Sequence, residues 1–347
     1  MKLVPGLLAV AIAGAAVAAA SAAGAQQITG AGATFPAPVY TKWAEAARAA
    51  TGIQLNYQAI GSGGGQNQII NRTVDFGASD APVDAQRLEQ NHLLQFPTVM
   101  GAVVPIVNLP AVQENQLKLT GELLGDIFLG KIANWNDPKI AELNPGVKLP
   151  HLAIAPVHRA DGSGTTFVFT SYLSATNPGW KSQVGAATSV DWQAGTGARG
   201  NDGVAGTVHN TRGGIGYVEY AYAKQNHLIT AQLRNKSGQF VVPAMPAFAA
   251  AASSADWAHA QHFAVDLIDL PGPTAWPIVS ATFILLPENP TDPARSAAVL
   301  KFFDWAYKNG DPIAASLDYI PMPQAVKEAV ETAWHGSVKG PDGKPVF

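Results

Sequence analysis

Arg159, Ser163, Thr165 and Thr166 crowd into one short run, Arg159-Ala160-Asp161-Gly162-Ser163-Gly164-Thr165-Thr166, just ahead of an apolar helical stretch. Two other segments share this make-up of glycine, small hydroxyl residues and a following helix. One is Gly30-Ala31-Gly32-Ala33-Thr34-Phe35, before Pro36. The other is Gly61-Ser62-Gly63-Gly64-Gly65, before Gln66. A helix start leaves backbone N–H groups without intrahelical partners, and the helix dipole favours negative charge there. Glycine lets the backbone approach a ligand closely, and serine or threonine adds a short hydroxyl donor. A single turn of this kind looks the same as an ordinary Ser/Thr cap. Three in one chain, one of them with an arginine, point to a bound anion. Asp75-Phe76-Gly77-Ala78-Ser79-Asp80 adds acidic groups, but read alone it is a solvated strand-to-turn passage.

Other candidates lack the chemistry they suggest. Gly125 to Lys131 matches most of a P-loop, yet Ile132 stands where a Ser or Thr must hold magnesium, and bulky apolar residues fill the phosphate-wrapping part. Ile60 and Asp161 break the Gly-x-Ser-x-Gly elbow around Ser62 and Ser163, so neither serine carries a hydrolase signature. His259 and His262 could share a helix face near Asp266, but a solvated face accounts for them better than a metal site. The eight tryptophans are scattered and read as core or seam residues. The sequence offers no nucleophile paired with a base and no metal cluster, so an enzyme is not indicated.

Strand and helix signals alternate around the three turns. Ile53, Leu55 and Tyr57 alternate with polar residues as in a half-buried strand, and a polar helix is predicted from about Gln66 to Val74. Two β-branched apolar runs, Thr98–Leu109 and Ala281–Leu286, are separated by a long stretch with its own helix at Thr166–Ser174. A final helix is predicted over Pro293–Lys308, closed by Gly310. This alternation indicates an α/β fold with helices on both sheet faces.

The 347 residues exceed a usual single domain. Charged residues make up 14% and the net charge is −3, without a dense basic block, so nucleic acid has no electrostatic footing. Within the first 25 residues Lys2 is the only charged side chain. An Ala-rich apolar run follows it and ends in Ala23-Gly24-Ala25, the layout of a cleavable secretory leader. With no cysteine in the chain, disulfides and a lipid-modified N-terminal cysteine are excluded, and the mature protein should be soluble in the periplasm.

The same segments resemble the periplasmic phosphate-binding proteins of phosphate-specific ABC importers. The resemblance is carried by T-G-A-G-A-T-F-P-A-P-V-Y at 29–40, G-S-G-G at 61–64, V-D-F-G-A-S-D-A-P at 74–82 and R-A-D-G-S-G-T at 159–165. Further matches are F-P-T-V at 96–99, G-D-I-F-L-G-K-I at 125–132, G-N-D-G-V-A at 200–205, G-Y-V-E-Y-A-Y-A-K-Q-N at 216–226 and K-F-F-D-W-A-Y-K at 301–308. It implies a two-domain periplasmic-binding-protein fold of type II, with two crossover hinge strands and a ligand cleft between the domains. The corresponding division is an outer domain of 26–106 plus 278–347 and an inserted domain of 107–277. It also implies high-affinity binding of inorganic phosphate by a monomer, delivery to the transmembrane permease subunits, no cofactor and no catalysis. The implied phosphate contacts are Thr34, Phe35, Ser62, Asp80, Arg159, Ser163, Gly164 and Thr165. Asp161 would pair with Arg159 and orient it. On that reading Asp80 accepts a proton that phosphate carries and sulfate lacks.

Overall fold

A computed structural model describes residues 26–110 and 112–347. The expected leader, residues 1–25, lies outside the described residues. A ten-stranded sheet forms the centre of the molecule. The strands Ile53–Ala59, Gln26–Gly32 and Phe76–Ser79 run parallel at one side. Val279–Pro287 lies antiparallel beside Phe76–Ser79, and its other edge pairs with the long strand Leu93–Val107. That strand has two sets of partners. Residues 93–102 face Val279–Pro287, whereas residues 103–107 face Gly214–Glu219. Ala155–Arg159 and Thr196–Ala198 complete the other side.

Near-continuous apolar sequence is what a strand buried on both faces requires, and every residue of Leu93–Val107 except Leu94 is buried. Pro97 sits within this strand, where it cannot donate to the ladder. The pairing accommodates it with a bulge: Thr282 faces Val99 while Phe283 faces Pro97, leaving Thr98 as the extra residue. Buried aromatics gather in two groups. Tyr40, Phe76, Phe96 and Trp334 contact Phe303 or each other on one side. On the other, Tyr217 stacks with Phe169 and with the half-buried Trp192, and Phe128 meets Phe169 edge-on.

Helices form where the turns predicted, with shifted boundaries. Ala37–Thr51 follows Pro36, Gly164–Thr176 follows Ser163, and Pro293–Asn309 ends at Gly310. The expected Gln66–Val74 helix is instead Ser62–Ile70, so the three glycines lie inside its first turn. Low helix propensity argued for a loop there, but close packing decides. A Cβ on Gly65 would come within 2.5 Å of the Ala31 carbonyl oxygen. The P-loop look-alike is the helix Gly121–Phe128 and the turn after it. His259 and His262 share no helix face: they occupy separate 3₁₀ turns, and His262 itself has a left-handed φ of 50°.

Candidate functional site

The first turn leaves the sheet at Gly32 and the acidic loop leaves it at Ser79, on neighbouring parallel strands, so Thr34 and Asp80 emerge side by side. The second turn is tied beneath the first, because the N–H groups of Ile60 and Gly61 both donate to the Gly32 carbonyl. The third turn arrives from the far side of the sheet after Ala155–Arg159. The Gly63 N–H donates to the Gly162 carbonyl at 2.9 Å, an approach only glycine permits. A Cβ on Gly61, whose φ is 89°, would stand 2.3 Å from the Asp161 carboxylate and 2.6 Å from the Gly162 carbonyl oxygen.

Thr34, Phe35, Ser62, Asp80, Arg159, Asp161, Ser163, Gly164 and Thr165 come together here, and all of them are buried except Asp161, which is half-buried. Ser62, Ser163 and Thr165 are fully enclosed, and Asp80 is 1% exposed. Ser62 Oγ accepts from the Gly164 N–H at 3.0 Å and the Asp80 N–H at 3.2 Å, and it lies 3.5 Å from Asp80 Oδ2. Ser163 caps its helix by accepting from the Thr166 N–H. Arg159 is held by Asp161 through two bonds, Nε to Oδ1 at 2.8 Å and Nη2 to Oδ2 at 2.5 Å. Its Nη1 reaches Thr165 Oγ1 at 3.3 Å. Among the described residues the N–H groups of Phe35, Ser62 and Thr165 donate to no protein acceptor.

The carboxyls differ in their electrostatics. Burial pushes Asp80 up to about 7, against the opposing pull of the Thr282 hydroxyl, the Arg159 charge and Ser62. Burial acts the same way on Asp161, but the Arg159 guanidinium and the Gly200 N–H outweigh it and hold that group below the usual carboxylate range. Glu219, fully buried, is driven well above its ordinary value by desolvation. The site therefore holds one cation matched by one anion, one carboxyl poised near neutrality, and a ring of uncharged donors.

Several members escaped the sequence reading. Thr282 donates to Asp80 Oδ1 at 2.6 Å from the strand beside it, at the bulge. A fourth helix, Gly200–Asn210, also begins at the site. Its Gly200 N–H donates to Asp161 at 3.2 Å, and Asn201 touches both Thr34 and Thr165. The Tyr222 hydroxyl donates to the Thr34 carbonyl at 2.6 Å. Tyr319 makes two short contacts, 2.6 Å to the Phe35 carbonyl and 2.7 Å to Glu219 Oε2. A phenol has one proton and a carbonyl can only accept. Both contacts are satisfied when Tyr319 donates to Phe35 and a protonated Glu219 donates to Tyr319.

Four helix starts converging on a buried, donor-rich cluster, where a long strand changes partners, define an α/β binding protein of the periplasmic-binding-protein type. The PBP superfamily domain matches residues 17–309 of the chain. The phosphate-binding protein PstS of Pasteurella multocida is 53% identical, over 93% of this chain and 94% of that protein. Its counterpart in Haemophilus influenzae is 51% identical, over 91% and 94%. The chain belongs to this family of PstS phosphate-binding proteins. A solved human phosphate binding apolipoprotein is similar in fold alone, with a TM-score of 0.71 and 21% identity over 88% of this chain and 94% of that one.

Proposed function

We propose that the buried cluster binds inorganic phosphate and that the protein delivers it to the permease of an ABC importer. The observation that carries the choice of ligand is Asp80. One of its oxygens is occupied by Thr282, and the other lies among Ser62, Gly164 and the Arg159 field. A carboxylate so placed binds an oxyanion only if that anion supplies a proton. Phosphate carries one at neutral pH and sulfate carries none. Sulfate would set two acceptors against each other in a dry site, an error that such sites reject by up to roughly 10⁴–10⁵-fold. The ligand contacts on this reading are Thr34, Phe35, Ser62, Asp80, Arg159, Ser163, Gly164 and Thr165. Membership of a family of binding proteins agrees with it.

Catalysis at Ser62 is disfavoured chemically. Both hydroxyl lone pairs already receive N–H groups, from Gly164 and Asp80, which removes the nucleophilic electrons. The remaining parts of the proposal rest on the sequence and on the family resemblance. Residues 1–25 act as a leader removed on export, the mature chain is a periplasmic monomer, and residues 26–106 with 278–347 form one domain and 107–277 the other.

Calorimetric titration of the wild type and Asp80→Asn with phosphate and with sulfate at pH 8 tests the ligand. Tight phosphate binding with no detectable sulfate heat is expected of the wild type. Comparable affinities for the two anions would sink the reading.

A further inference from the structure

Asn201 is fully buried at the start of the fourth helix, and its three hydrogen bonds determine which way its amide faces. Oδ1 accepts from the Glu219 backbone N–H at 3.1 Å. An N–H can only donate, so the oxygen must occupy that position and the NH₂ must face the opposite way. There Nδ2 donates to Thr34 Oγ1 at 2.8 Å and to Thr165 Oγ1 at 3.2 Å. Each hydroxyl has a second donor as well. The Asn201 N–H reaches Thr34 Oγ1 at 3.3 Å, and Arg159 Nη1 reaches Thr165 Oγ1 at 3.3 Å. A hydroxyl has two lone pairs and one proton. Both threonines thus have their lone pairs engaged and one proton left to give.

We propose that Asn201 is a positioning residue of the anion site: it fixes the polarity of the Thr34 and Thr165 hydroxyls so that each presents a proton, and no lone pair, to the ligand. This deepens the phosphate reading and rests on it. An oxyanion offers only acceptors on most of its surface, so a hydroxyl free to rotate spends part of its time turned the wrong way. Aspartate at this position would retain the acceptor for Glu219 and reverse everything else. Its second oxygen would draw the two threonine protons inward and turn lone pairs toward the anion.

A double-mutant cycle between positions 34 and 201 separates this role from simple bracing. Phosphate affinity is measured at pH 8 for the wild type, Thr34→Val, Asn201→Asp, Asn201→Ala and both pairings with Thr34→Val, with far-ultraviolet circular dichroism to establish folding. In the wild type, Thr34→Val should weaken binding about tenfold, the loss of one hydrogen bond to a charged group. Asn201→Asp should weaken it about 100-fold or more, and in that background Thr34→Val should be neutral or favourable, because the hydroxyl it removes points the wrong way. If Asn201→Asp fails to fold, Asn201→Ala decides the matter, since a hydroxyl without its guide loses value and the Thr34→Val penalty should shrink. An unchanged penalty in every folded background overturns the proposal and leaves the phosphate reading standing. A wild type that binds no phosphate overturns both.

Discussion

Asp80 is pushed from its ordinary 3.8 to about 7 by burial, so between those values the folded, ligand-free protein holds a proton that the unfolded chain has lost. The stability attached to that group is therefore complete below its unfolded value and is lost as pH rises through about 7. Glu219 and Asp269 are raised by burial as well and act in the same direction. Ligand-free protein should melt at a higher temperature at pH 5.5 than at pH 8. Asp80→Asn should raise the pH 8 melting temperature by several degrees and flatten, without abolishing, the slope. A variant no more stable than the wild type at pH 8 would contradict a strained carboxylate. The same proton governs selectivity. Protonated Asp80 is a donor, so sulfate affinity should climb as pH falls from 8 to 6 while phosphate affinity changes much less; calorimetry across that range reads the difference. Arg159→Ala should weaken phosphate by about 10²-fold or more, because it deletes the cation of the site and leaves the half-buried Asp161 without its partner. Residue identities of this kind were legible in the sequence wherever a turn carried them. Asp80 was not legible from its own segment, since an Asp before Ala81-Pro82 looks like any capped turn until the fold encloses it.

Strand ends and helix starts bring the cluster together, and the match between them is close. Gly164 opens the third helix directly beneath Asp80 and Ser62: a Cβ there would stand 2.5 Å from both Asp80 Oδ2 and Ser62 Oγ. Neither neighbour can withdraw, as Ser62 heads its own helix and Asp80 is anchored to Thr282. Gly164→Ala should accordingly reduce phosphate affinity by about 100-fold while the circular dichroism spectrum stays native, since sub-ångström misplacement of several donors is multiplied across them. Three of the four helix starts could be read from sequence because each pairs glycine with a hydroxyl residue. The fourth could not, because its working group is an asparagine in the first turn of a helix that starts Gly200-Asn201 after Arg199, with no hydroxyl residue beside the glycine. Thr282 was missed for a different reason. Its contact with Asp80 depends on strand register and on the bulge at Pro97 and Thr98, and a long-range register is not written in local periodicity.

At the scale of the whole molecule, ties across the proposed cleft are already made in this conformation. Gly63 to Gly162, Asn201 to Thr34, Tyr222 to Thr34, Tyr319 to Glu219 and Lys224 to Asp318 each join residues of 107–277 to residues outside that range. Lys224–Asp318 is a half-exposed ion pair and contributes little. Gly63 and Gly162 are half-buried and the remaining ties are buried; on the proposed division all of them exist only when the two halves meet. Hinge closure around a ligand is the arrangement such a fold allows, and the long strand changes its sheet partners between Ala102 and Val103, a few residues before the proposed domain boundary. The family resemblance implied crossing strands at the two apolar runs, but no sequence signal pointed to the tyrosine ties, whose partners are the Thr34 carbonyl and the Glu219 carboxyl. Tyr222→Phe removes the donor to the buried Thr34 carbonyl in the closed form, while the open form can hydrate that carbonyl. The variant should bind phosphate about tenfold more weakly, from the cost of one buried unsatisfied acceptor, with the loss expressed mainly as faster release. Small-angle scattering should find the ligand-free variant more expanded than the ligand-free wild type, and the two indistinguishable at saturating phosphate. Equal dimensions without ligand, combined with the same tenfold loss, would place Tyr222 in the ligand contacts themselves and remove it from the closing equilibrium.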